Sequence, residues 1–127
     1  MLQSLSLTRM AEALADHASS RLGLIARNVA QADTPGYKAM DLPDFSRVYR
    51  DSADGGMRAT LSGHFSSSMT ASTPVAQATG GEASPDGNTV SVEKEMVKSA
   101  EVRQDHEMAM SVYRSTRDIL RASLGLR

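Results

Sequence analysis

A chain of 127 residues has room for one domain, and its 40% hydrophobic content includes only 4% aromatics and no Trp, so a single core would be thin. The net charge of −1 and pI near 6.3 give no electrostatic reason to expect nucleic acid or an anionic membrane as partner. The absence of Cys excludes disulfides, thiolate chemistry and Cys-based zinc sites, and no apolar run reaches the roughly eighteen residues of a bilayer span.

The N-terminal stretch MLQSLSLTRMAEALADHASS lacks a basic region followed by an apolar one, so it does not read as a cleaved signal peptide. The chain is expected to stay in the cytoplasm or to leave by a route that needs no such signal. Residues 1–33 read as a long helix. Leu7, Ala11, Leu14, Ala18, Leu22, Ile25, Val29 and Ala32 recur at steps of three and four, which is one helical face. Leu7, Leu14, Leu22, Ile25 and Val29 are its expected packing residues. Gly23 lies within the pattern and is read as a point of close packing against a neighbour.

At Asp33-Thr34-Pro35-Gly36 the pattern stops. Pro35 ends the hydrogen-bond ladder and disfavours the helical conformation at Thr34. Pro at the second position and Gly at the third suit a type II turn, with Gly36 at positive φ. From Tyr37 the residues alternate, and Pro43 argues against a central strand, so residues 34–50 read as a corner followed by an edge-like extended arm. A Thr-Pro-Gly corner by itself is usually a turn and nothing more.

Residues 51–88 read as a long low-complexity loop. Between Ala59 and Gly81 there is no Lys, Arg, Asp or Glu, and Ser, Thr, Ala and Gly dominate. Lack of charge is unlike most solvated disorder and favours a segment that lies down on another surface. Residues 89–127 read as a second long helix. Asp86-Gly87 forms a turn, Ser91 is the expected N-cap, and Glu93 and Glu95 stand in the first turn, where the helix dipole favours acid. Its stripe takes in Val92, Met96, Met110, Tyr113, Leu120 and Leu124, with Ser99, Arg103 and His106 interrupting the middle. The expected fold is mainly α: two long terminal helices packed as an antiparallel pair or coiled coil, joined by the Pro-Gly corner, the extended arm and the loop.

Nothing in the chain converges as a catalytic centre. His17, His64 and His106 lie in three different parts without ligand-spaced partners. Asp105-His106-Glu107 points consecutive side chains to different helix faces, so it is no catalytic dyad. Gly80-Gly81 lacks the following Lys and preceding strand of a phosphate loop. No catalytic residue, cofactor, metal, nucleic acid or small-molecule substrate is expected. Two long helices with about a dozen good apolar side chains are hard to stabilise alone, which makes neighbouring chains the missing half.

The stretch ARNVAQADTPGYKAMD resembles the N-terminal signature of the flagellar axial proteins of the rod and hook. Asn28, Ala30, Asp33, Thr34, Pro35, Gly36, Tyr37 and Lys38 match it, whereas Gln31 replaces the usual Asn. Residues 46–88 are too few to hold the additional domain of hook and distal-rod members, so the chain is most similar to the proximal-rod members. The resemblance implies a structural basal-body subunit whose terminal helices pack near the axis of a hollow helical rod. It implies copies of itself and other rod proteins as partners, with the inner-membrane ring and export gate beside them. It further implies a periplasmic destination reached through the flagellar type III apparatus. Asn28, Asp33, Thr34, Pro35, Gly36, Tyr37, Lys38, Asp41 and Phe45 are then the assembly corner and arm, with the arm lying on adjacent subunits. Another short rod subunit of the same family is the nearest alternative. From a different class, a soluble helical adaptor or secretion chaperone would account for the amphipathic helices but does not need the corner.

Overall fold

The three-four spacing at the N-terminus folds as helix α1, Leu2–Ala30, and the C-terminal stripe as helix α3, Val92–Ser123. Between them lie strand β1 (Met40–Asp41), helix α2 (Phe45–Asp54) and strand β2 (Gln77–Ala78). The computed structural model describes residues 2–54 and 74–125. Half of the loop expected at 51–88, residues 55–73, lies outside the described residues, and the described flanks hold the end of α2 and strand β2.

Helix α1 packs on α3, with the end of α1 beside the start of α3, as the bond from Asn28 to Glu95 requires. The pair is therefore antiparallel. Its seam is built from positions seven apart: Ala11, Ala18 and Ile25 on α1, and Glu95, Val102, Ala109 and Thr116 on α3. Ala18, Ile25 and Val102 form the apolar centre, with Leu22 against it. Small side chains allow close approach of the helices but bury little apolar area each.

At about 100° per residue, the centre of this seam on α3 is rotated by roughly 60° from that of the expected apolar stripe, so the stripe runs along one edge of the packed face. Met110, Tyr113 and Leu120 become half-buried flanks, while Met96 and Leu124 stand 60% and 61% exposed. On α1, Ile25 is buried, Leu14, Leu22 and Val29 are half-buried, and Leu7 is exposed. The apolar stripe lost because Glu95 faces α1, where Asn28 bonds it. Gly23 is exposed, and a Cβ there would meet nothing within 4 Å, so it does not mark a close approach within the chain.

The arm is also shorter than expected. Asp44 accepts from the backbone amides of Arg47 and Val48, starting α2 just after Pro43. Phe45, Val48 and Tyr49 then share one half-buried face. Phe45 stands edge-on to His17 at 5.7 Å and 5.5 Å from the Tyr49 ring, while His17 Nε2 donates to the Pro43 carbonyl at 2.8 Å. These contacts dock the start of α2 on α1.

Candidate functional site

The corner is the densest polar arrangement in the described chain. Helix α1 tightens as it ends: Gln31 N bonds both Arg27 O and Asn28 O, Ala32 N bonds Val29 O, and Thr34 N bonds Gln31 O. Tyr37 N then closes a four-residue turn on Thr34 O at 3.3 Å, with Pro35 second and Gly36 third at φ +72°. Pro35 cannot continue the helix, and only glycine takes that φ without strain. Gln31 keeps a local bond despite its departure from the signature, accepting the Thr34 hydroxyl at 2.6 Å.

A second turn, residues 84–88, backs the first. Gly36 N donates to Asp86 O, and Gly87 at φ +82° would place a Cβ 3.5 Å from Gly36 Cα. Asn88, 2% exposed, directs its amide nitrogen at the carbonyls of Gln31, Ala32 and Thr34, at 3.0, 2.7 and 2.9 Å. One side chain thus bonds three carbonyls of the turns that follow α1. Its own oxygen accepts from Val90 N, which leads into the N-cap of α3. At that cap Ser91 has extended backbone and accepts from Lys94 N, and its hydroxyl donates to Glu93.

Beneath the corner lies Asn28, with no exposed surface. It donates to Met40 O at 2.8 Å and to Glu95 Oε2 at 2.9 Å, and accepts from Met40 N at 3.0 Å and the Tyr37 hydroxyl at 3.3 Å. All its hydrogen-bonding capacity joins α1, the arm and α3. Two carboxylates share this region. Glu95, 2% exposed, is paired with Lys98 at 2.9 Å. Asp41 takes a bidentate pair from Arg21 at 2.7 and 3.0 Å and lies 3.5 Å from Lys98.

Burial works against the charge on Asp41. The Arg21 hydrogen bonds and charge, the Leu42 amide and the Lys98 charge together outweigh it, so its carboxyl titrates below the ordinary aspartate range. The same hydrogen bond pushes the Arg21 guanidinium up, although burial opposes it.

Of the residues expected at the corner and arm, Asn28 and Asp41 are buried, Tyr37 and Phe45 are half-buried, and Asp33, Thr34, Pro35, Gly36 and Lys38 face outward. Lys38 Nζ reaches Gly87 O at 3.1 Å. The backbone of the arm pairs within its own chain: Met40 opposes Ala78, Asp41 opposes Gln77, Thr79 N donates to Ala39 O and Thr89 N to Tyr37 O. The backbone of residues 37–41 is thus bonded within its own chain. Arg21, Asn88, Thr89, Glu95 and Lys98 were not anticipated as parts of this site. Glu95 and Asn88 carried local signals, a first-turn acid and an Asp-Gly-Asn turn, but neither signal names a distant partner.

The arrangement joins α1, the arm and α3. The described residues contain no group of three acidic, His or Cys side chains able to hold a metal, and no helix long and apolar enough to cross a membrane. A shallow groove lined by Ser20, Leu24, Leu42, Pro74 and Ala76 carries no titratable group. The fold and site define a helical hairpin with a polar-locked corner.

No protein-family model matches the chain. It is similar to the flagellar basal body rod protein FlgB of Agrobacterium fabrum, 29% identical over 121 residues that span 90% of this chain and 89% of that protein. That likeness supports the flagellar rod family and points to a structural, non-enzymatic protein of the flagellar basal body.

Proposed function

We propose that this chain is a proximal-rod subunit of the flagellar basal body, in the role FlgB's name describes. It assembles with copies of itself and other rod proteins into a hollow helical shaft that transmits torque and passes exported subunits. In this reading it is itself exported by the flagellar type III apparatus, without a cleaved signal peptide, to the periplasmic part of the basal body. There it meets the inner-membrane ring and export gate on one side and further rod subunits on the other.

The observation that supports this reading best is the corner. The residues that resemble the axial-protein signature turn the chain sharply and set Pro35, Gly36 and Lys38 outward on a braced platform. Exposed Met96, Val97, Met108, Ile119 and Leu124 on or beside α3 add to it, since large apolar side chains left outside suit contacts with other subunits.

Electron cryomicroscopy of basal bodies from the source bacterium, with the gene deleted and with it restored, tests the proposal. Rings without a rod in the deletion strain, and rods on complementation, are the expected result. Complete rods and hooks without this chain would overturn it and favour a soluble helical adaptor.

A further inference from the structure

We propose that the polar cluster around Asn28 and Glu95 sets the register of the two long helices in the single chain, before any assembly. The apolar seam is poorly suited to that task. Ala11, Ala18 and Ile25 face Val102, Ala109 and Thr116, all in rows seven residues apart. A slide of one helix by seven residues would again set small side chains against small ones. Such a slide is about 10.5 Å along the axis.

The polar groups do not repeat. Glu95 stands in the same row as Val102, Ala109 and Thr116, yet it is a buried carboxylate whose partners are Asn28 and Lys98. Sliding α3 so that Glu95 leaves Asn28 costs the buried acid and one amide proton of Asn28 their mutual bond, while Lys98, three residues on in α3, moves with Glu95. In one direction Glu95 reaches the level of Arg21, seven residues before Asn28, but that guanidinium is already held by both oxygens of Asp41. In the other direction it passes Asn28 by a heptad, to the level of Pro35 beyond the end of α1. A buried polar residue at one seam position is a known way to specify helix register, because every other register leaves it unpaired. The contacts of Asn28 with Met40 and Tyr37 make the register also that of the corner.

The natural chain has no Cys, so paired cysteines report register without interference. Ala18→Cys with Val102→Cys marks the observed register, where the two residues share the apolar centre. Ala11→Cys with Val102→Cys, and Ala18→Cys with Ala109→Cys, mark slides of one heptad in each direction, since a disulfide bridges Cα atoms less than about 7 Å apart. Each pair is placed in the full-length chain with the cluster intact and with Asn28→Leu/Glu95→Leu, oxidised at high dilution, and monomeric disulfide is quantified. With the cluster intact, only the Ala18/Val102 pair should close. In the Leu variant the shifted pairs should rise about tenfold or more while helical circular dichroism persists. A folded Leu variant that still closes only the Ala18/Val102 pair overturns the proposal. If the double variant loses its helical signal, Glu95→Leu alone is read by the same criterion. It leaves Asn28 bonded to Met40 and Tyr37 and Arg21 paired with Asp41.

Discussion

Asn28 and Asp41 show how much a single side chain carries in this molecule. Asn28→Ala would leave Met40 N and O and the Glu95 carboxylate short of partners in a dry site, at a cost of roughly 2–5 kcal/mol. Urea unfolding of the purified chain measures it. Asp41 gives the chain a pH dependence with a definite sign. Folding lowers its pKa, so its contribution is fully present above the unfolded value, about 3.9, and is lost as pH falls through the lower folded value. Thermal unfolding followed downward from pH 5 should show a steep loss of stability, and Asp41→Asn should flatten that slope. At Gly36 the penalty is conformational, because a Cβ would meet nothing within 4 Å while φ is +72°. Gly36→Asn should be tolerated best, Gly36→Ala should cost about 1 kcal/mol, and Gly36→Val more. If the corner serves rod assembly, Gly36→Val should impair swimming in soft agar while expression stays normal.

The elements differ in what holds them. Helix α3 has a defined beginning, with Ser91 capping Lys94 N and acids in the first turn. Ser91→Ala should cost about 1 kcal/mol in urea unfolding. The α1–α3 seam depends on small side chains, so Ala18→Leu at the apolar centre should cost about 1–3 kcal/mol by overpacking, where a surface Ala→Leu on the same helix would be near neutral. Helix α2 shows why an element can hide. Asp44 at its start and the Phe45, Val48, Tyr49 spacing are helical signals, but Pro43 and the alternation before it favour an extended reading. The competition is settled by docking, with Phe45 against His17 and His17 Nε2 on Pro43 O. Neither contact is visible within a local window.

At the scale of the whole molecule, the large apolar side chains are distributed against the usual pattern. Ala, Val and Ile fill the centre while Met96, Val97, Met108 and Ile119 remain outside, each more than half exposed. Met96→Ser with Ile119→Ser should therefore change the stability of the isolated chain by no more than about 0.5 kcal/mol per site. The same variant should fail to restore rods in a deletion strain if these side chains contact other subunits. A large loss of monomer stability would instead place them in intramolecular contact.

The sequence by itself determined two long helices, the cap at Ser91 and a sharp corner at Pro35 with Gly36 at positive φ. Those features obey rules that act over a few residues: the helical period, the missing amide of proline and the freedom of glycine at φ. It also carried the resemblance, because the signature is contiguous. The tertiary structure alone decided which face of α3 meets α1. The apolar stripe is rotated by roughly 60° from the buried seam, at whose start Glu95 bonds Asn28, a partner 67 residues away in the chain. It also decided that residues 37–41 pair within the chain and that Asn88 closes the end of α1. Satisfying buried polar groups is a condition on the assembled fold, and an amide or carboxylate has no local signal that names its distant partner.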